Sequence, residues 1–215
     1  RLNDKTVFWI ALILLLQPFE WGRMLYALFD SNYVINGTHF ITYAESAIEA
    51  TTHGTFLEVL RNNIWNGQLY SNFWQVENGR LFQTAALFMF GMLLGRRKYF
   101  IKSNRSTRAW KRILKMAILA FIPLNMLRFY VPVYISNPSI LISYNVAIPS
   151  LANFTFMAIL VSAFTLLWFN RGEGYKWQRT IIPYGRMSLT NYISQSIMGV
   201  CIYYGFGLGL YNSTG

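Results

Sequence analysis

The chain has 215 residues, of which 54% are hydrophobic, 18% aromatic and only 13% charged, about half the charged fraction that coats a soluble globule, roughly 25%. Its formal net charge of +11 is gathered largely into one loop between apolar segments, which argues against a nucleic-acid-binding domain and for basic loops facing anionic lipid head groups. A single cysteine, Cys201, excludes an internal disulfide and a cysteine cluster for a metal.

The first apolar segment, Thr6 to Phe29, is long enough as a helix, roughly 36 Å, to cross a hydrocarbon core of about 30 Å with some tilt. Pro18 removes a backbone hydrogen bond inside it and predicts a kink. Gln17, Glu20 and Arg23 cluster beside the kink, and Glu20 and Arg23, three residues apart, share a helical face. Two readings stand: a structural ion pair turned into the bundle, or a polar site opened at the kink.

Asp30 to Arg80 carries five acidic residues against Arg61 and Arg80. Its charge bias is opposite to that of the basic stretch, so residues 30–77 are expected as one long extracytoplasmic loop. Phe56, Leu57, Leu60, Ile64 and Trp65 recur at helical intervals, which predicts an amphipathic helix within Thr55–Tyr70. Asn36-Gly37-Thr38 matches a glycosylation acceptor. His39 and His53 lack the spacing of a helix-borne zinc site, and no metal is predicted.

Leu81 to Gly95 is apolar but short, about 22 Å as a helix. Arg80 and Arg96 could snorkel to the two interfaces, and Gly91 with Gly95 forms a GxxxG that permits close helix approach. Gly95 to Lys115 then carries nine Lys or Arg and no acid, which marks a cytoplasmic loop and fixes the orientation of its neighbours.

A third span is expected over Ile113–Val133, with a turn at Ser136-Asn137-Pro138, and a fourth over Val146–Phe169. A short inner loop follows, with Arg171, Lys176 and Arg179 against Glu173. Tyr184–Tyr211 reads as a fifth segment, in which Ser188, Asn191 and Gln195 form one helical stripe. The stripe either bonds helices together or lines a substrate cavity.

The stretch Tyr184-Gly-Arg186-Met-Ser188-Leu-Thr-Asn191-Tyr-Ile-Ser-Gln195-Ser196, with the glycine-rich Tyr203–Tyr211 after it and Phe90-Gly-Met-Leu-Leu-Gly95-Arg96 before it, resembles the YeiB-like bacterial membrane proteins, domain of unknown function family 418. The resemblance covers about 81–211. It implies a distant kinship with membrane acyltransferases of the bacterial inner membrane, and hence an acyl donor as co-substrate. In such relatives the best candidate for a catalytic histidine lies in an amino-terminal part that neither His39 nor His53 matches.

The sequence therefore predicts an all-α, multi-spanning membrane protein with about five membrane segments, read as a single integral-membrane domain over 1–215 and as a fragment of a longer protein. Loops 96–111 and 171–179 are expected in the cytoplasm. Membrane lipids are the expected partners, with a small-molecule or lipid-linked substrate and no nucleic acid. Three functions stay open. An acyltransferase-like enzyme would line a polar cavity with Arg186, Ser188, Asn191 and Gln195; the Arg fork would suit a phosphate or carboxylate. A transporter or flippase would use Glu20 and Arg23 at the kink. A non-catalytic membrane scaffold or sensor is the third.

Overall fold

The computed structural model describes residues 2–30, 32–35, 39–170 and 176–211, with the backbone alone at 176–180. Among these residues the chain is mostly helical, without strands. It divides into two compact units, Arg1–Asn36 with Asn78–Arg171, and Gly37–Glu77 with Gly172–Gly215.

The first unit contains α1 (Asp4–Leu15), α2 (Pro18–Phe29), α6 (Arg80–Arg96), α7 (Asn104–Tyr130) and α8 (Pro138–Asn170). Two stretches are long and apolar enough to cross a membrane: α7 with the 3₁₀ turn that extends it to Tyr134, and α8. The pair α1 and α2, bent by 44° at its break, makes a third if it is one span. The segment expected over Leu81–Gly95 is the 17-residue α6, shorter than a span. Large apolar side chains such as Phe88, Leu119, Ile122, Phe129 and Leu160 stand exposed on these helices, as a lipid-facing surface requires.

Packing in this unit follows small residues. Ser139, Ser143, Ala147 and Ser150 form a buried row along α8, so neighbouring backbones can approach closely. Met24 of α2 packs there with Tyr144, Ala147 and Ile148. Val7, Ala11 and Leu15 are buried on α1, and Ala86 and Leu93 on α6. Asn137 caps α8 by accepting from the Ser139 N–H at 2.9 Å, in agreement with the turn expected at Ser136–Pro138. The Gly91–Gly95 pair is not used in packing, since a side chain added at either would meet nothing within 4 Å.

The second unit contains α3 (His39–His53), α4 (Phe56–Asn62), a π-turn at Asn63–Gly67, α5 (Gln68–Glu77), α9 (Lys176–Arg186) and α10 (Ser188–Tyr203). Residues 39–77, expected as a loop with one short helix, are helical almost throughout. Thr55 and Glu58 form a reciprocal capping box that starts α4, and Tyr43 stacks on Phe73 to join α3 to α5. The α3 helix was not singled out from the sequence, although Phe40, Ala44, Ala47 and Ile48 recur at helical spacing within it.

The expected Tyr184–Tyr211 segment is likewise divided. α9 ends at Arg186, α10 runs for 16 residues, and the chain then turns back with the Leu208 N–H donating to the Cys201 carbonyl at 2.9 Å. Gly205 donates to the Thr51 carbonyl at 2.9 Å, an approach that leaves no room for a side chain. Arg171 and Glu173, and the acceptor pattern at 36–38, lie outside the described residues; Lys176 and Arg179 fall where only the backbone is described.

Candidate intramembrane polar site

The site begins with a backbone problem. A residue before proline is disfavoured in the right-handed helical region, and Gln17, preceding Pro18, takes left-handed angles, φ 55° and ψ 58°. That conformation costs a non-glycine residue about 1–3 kcal/mol. The expected kink is therefore a full break: α1 stops at Leu15 and Pro18 opens α2. The Trp21 indole N–H donates to the Leu16 carbonyl at 2.8 Å, satisfying an acceptor that the break would leave open.

The contacts of the Gln17 side chain offset the strain. It is 1% exposed, and its amide donates to the Gly79 carbonyl at 2.8 Å and to Ser150 Oγ at 3.4 Å. Gly79 is itself left-handed, φ 62°, and precedes α6. A Cβ there would stand 2.7 Å from Gln17 Oε1 and 2.8 Å from Val146 Cγ1. The buried Gln83 amide donates to the Ser150 carbonyl at 3.0 Å, and its oxygen accepts from Arg80 Nη1 at 3.1 Å. The break, the start of α6 and the middle of α8 thus converge through three polar side chains, Gln17, Gln83 and Ser150.

Glu20 and Arg23 lie one turn along α2. Glu20 is 4% exposed, and Arg23 Nη1 reaches its Oε1 at 3.1 Å, with 41% of the arginine side chain open. The other carboxylate oxygen, Oε2, is buried with no hydrogen-bond partner among the described residues, and so is Ser143 Oγ on the buried row of α8. A shallow groove of about 590 Å³, lined by Pro18, Phe19, Gly22, Arg23, Tyr26 and Tyr33, runs along the opposite side of α2. Arg23 therefore joins a buried carboxylate to an open, mainly aromatic groove.

At 1.5 Å per residue Gln17 lies roughly 20 Å from Asp4 and roughly 18 Å from Phe29, near the middle of the α1–α2 pair. At the far end of α1, Asp4 meets Arg96 Nη1 at 3.4 Å and Arg97 Nε at 3.2 Å, so the start of α1 lies beside the end of α6. The amino termini of α2 and α6 both open at the polar cluster, where helix dipoles favour negative charge. The Gln17 and Gln83 amides are engaged with Gly79 and Ser150, so the half-open Arg23 guanidinium, beside the groove, is the group that can meet an anionic or strongly polar ligand.

Of the residues singled out from sequence, the structure brings Glu20 and Arg23 together. Arg186, Ser188, Asn191 and Gln195 belong to the second unit, where Asn191 is half-buried on α10 and the other three are exposed. His39 and His53 end α3, and the His39 ring lies 5.6 Å from Phe73. Sequence reasoning missed Gly79, Gln83 and Ser150. Gln83 carried a signal as the one amide in the apolar Leu81–Gly95 stretch; Ser150, a small residue beside Pro149, carried none. Arg80 donates to Gln83 within the cluster.

The model of a family described as "Protein of unknown function (DUF418)" matches residues 94–215, which takes in the basic segment, α7, α8, α9 and α10. Ser143, Ser150 and the Arg186–Gln195 stretch fall inside the match; Gln17, Glu20, Gly79 and Gln83 precede it. No curated protein and no solved structure matches the chain.

Proposed function

The chain belongs to the DUF418 family of membrane proteins of unknown function, and on that premise we propose that it is a multi-pass protein of the bacterial inner membrane that moves a polar or anionic small molecule, or the head group of a lipid-linked one, through the Gln17–Gln83 site. The observation that carries the reading is the helix break midway along the α1–α2 pair, with Gln17, Glu20, Gln83 and Ser150 buried around it. Discontinuous helices of this kind recur at the substrate sites of secondary transporters, because half-helix ends supply charge-binding groups without exposing backbone to lipid. Membrane lipids would be the surrounding partners, and the aromatic groove beside Arg23 would accept the apolar part of a lipid-linked substrate.

The topology we assign has the amino terminus and loops 96–111 and 171–179 in the cytoplasm and residues 30–77 outside. About five membrane segments follow, with α6 and α10 as the short ones. Loop charge supports this, as does the Asp4 contact with Arg96 and Arg97. Arg186, Ser188, Asn191 and Gln195 would form a polar surface of the second unit.

Cysteine accessibility tests the transport reading. Gly22→Cys, in a Cys201→Ser background, stands where an added side chain meets nothing within 4 Å and faces the groove. Labelling by an impermeant reagent from each side of oriented vesicles supports transport; labelling from one side only, under every substrate condition, overturns it. One observation favours an acyltransferase-related enzyme as a second reading: Oε2 of Glu20 is buried without a hydrogen-bond partner among the described residues, and its other oxygen is held by the Arg23 that lines the groove. Transfer from a labelled acyl donor, abolished by Glu20→Gln, would select it.

A further inference from the structure

The basic stretch is a built platform. α6 ends in a Schellman turn, in which the Lys98 N–H donates to Gly95 and the Tyr99 N–H to Leu94, each at 3.0 Å. The residue at the left-handed position of this turn is usually glycine, yet here it is Lys98, with φ 55°. The chain then folds back on α7. The indole of Trp110, 2% exposed, donates to the Tyr99 carbonyl at 2.9 Å, its ring lies 5.4 Å from that of Phe100, and Ser106 Oγ bonds the Ile101 carbonyl at 2.6 Å.

This folding seats Phe100 in the wall of a crevice of about 530 Å³ on α8, whose other lining residues are Leu160, Val161, Phe164, Thr165, Trp168 and Phe169. The Thr165 hydroxyl is turned away to the Val161 carbonyl at 2.7 Å, so the lining is apolar. Lys98 and Lys102, two residues either side of Phe100, are exposed and make no ion pair among the described residues, as does Arg105, whose guanidinium lies 5.9 Å from the Tyr99 ring. Arg96 and Arg97 are engaged with Asp4. An apolar crevice whose wall includes Phe100, with three exposed cations within five residues of that ring in the chain and no acid between Arg96 and Lys115, complements an amphiphilic anion.

We propose that this crevice is a stoichiometric site for one anionic phospholipid, with an acyl chain between Phe100 and α8 and the phosphate held by Lys98, Lys102 and Arg105. The left-handed Lys98 accounts for the strained turn: it holds a cation at the crevice mouth where glycine would supply none. The site lies at the basic end of the unit, away from the Gln17–Gln83 cluster, and does not depend on what that cluster does.

Native mass spectrometry of the whole chain, purified in detergent and stripped of lipid, tests this with phosphatidylglycerol, phosphatidylcholine and inorganic phosphate as probes. One phosphatidylglycerol should bind per chain, about tenfold more tightly than phosphatidylcholine. Leu160 is 54% exposed, so Leu160→Trp can fill the crevice without disturbing the core, and it should weaken retention about tenfold. Lys98→Asn with Lys102→Gln keeps a residue that tolerates the left-handed turn and should abolish the preference for the anionic lipid. If Leu160→Trp misfolds, dihexanoyl phosphatidylglycerol on the unaltered chain replaces it and should bind at least tenfold more weakly than the long-chain lipid. Equal binding of both lipids, retention unaffected by crevice filling or chain length, or displacement by inorganic phosphate at equal concentration would each overturn the proposal, the last by assigning the cations to free phosphate.

Discussion

The Gln17 amide donates to the Gly79 carbonyl at 2.8 Å across 62 positions of sequence, joining two residues that are both left-handed. Each closes or opens a helix, and each depends on the other: the break in α1–α2 is tolerated because the start of α6 presents a bare carbonyl to it. The polar cluster is therefore a joint between helices, and its energetics can be probed from either side.

Gly79→Ala should destabilise the protein by about 2 kcal/mol, since the new side chain meets both an unfavourable backbone and the Gln17 and Val146 side chains at under 3 Å. Gly91→Ala is the matched control. Open space surrounds Gly91 within α6, so the change should be neutral or stabilise by up to about 1 kcal/mol. Thermal unfolding in one detergent measures both, and equal shifts would contradict the joint.

The Glu20–Arg23 pair should show coupling. Arg23→Gln leaves a carboxylate buried without its cation and should cost about 1–2 kcal/mol, below the value for a fully buried pair because Arg23 is 41% open. Glu20→Gln should be milder, and the double variant should fall short of the sum by roughly 1 kcal/mol. Strict additivity in a double-mutant cycle would mean that the pair contributes nothing.

The cap of α4 should be pH-sensitive. The Thr55 backbone N–H donates to Glu58 at 2.8 Å, the Thr55 hydroxyl at 2.9 Å, and together they hold the Glu58 carboxyl below its usual value of 4.5. A lowered folded-state pKa stabilises above about pH 4.5, and that contribution is lost as pH falls through the folded value. Amide exchange at Val59 and Leu60, corrected for intrinsic rates, should gain an acid-dependent opening. Glu58→Gln keeps the box geometry and should remove that dependence; persistence of the dependence in this variant would assign it elsewhere.

Orientation is open to direct measurement. With Asn104→Cys in a Cys201→Ser background, an impermeant thiol reagent should label only after the cytoplasmic face is opened. Labelling from outside intact cells would invert the topology that the charge bias of 96–111 predicts.

Composition and loop charge by themselves determined that the chain is helical and membrane-embedded, that Pro18 interrupts its first apolar segment, and that Glu20 and Arg23 share a face. These are local properties: period, proline geometry and the sign of short loops act within a few residues of where they are read. The presence of α7 and α8 was legible, because each holds a long apolar run, but α7 starts at Asn104 and α8 at Pro138, ahead of the spans expected from Ile113 and Val146. The helices of 39–77 were read only in part, and the ring contacts that hold α3 to α5, such as Tyr43 on Phe73, join residues 30 positions apart. Only the tertiary structure decided that the interruption at Pro18 is a break, that Gly79 must lack a side chain, and that Gln83 and Ser150 belong with Gln17. Those facts rest on carbonyls and amides meeting across 62 to 133 positions, and an unsatisfied buried polar group chooses its partner by proximity in space.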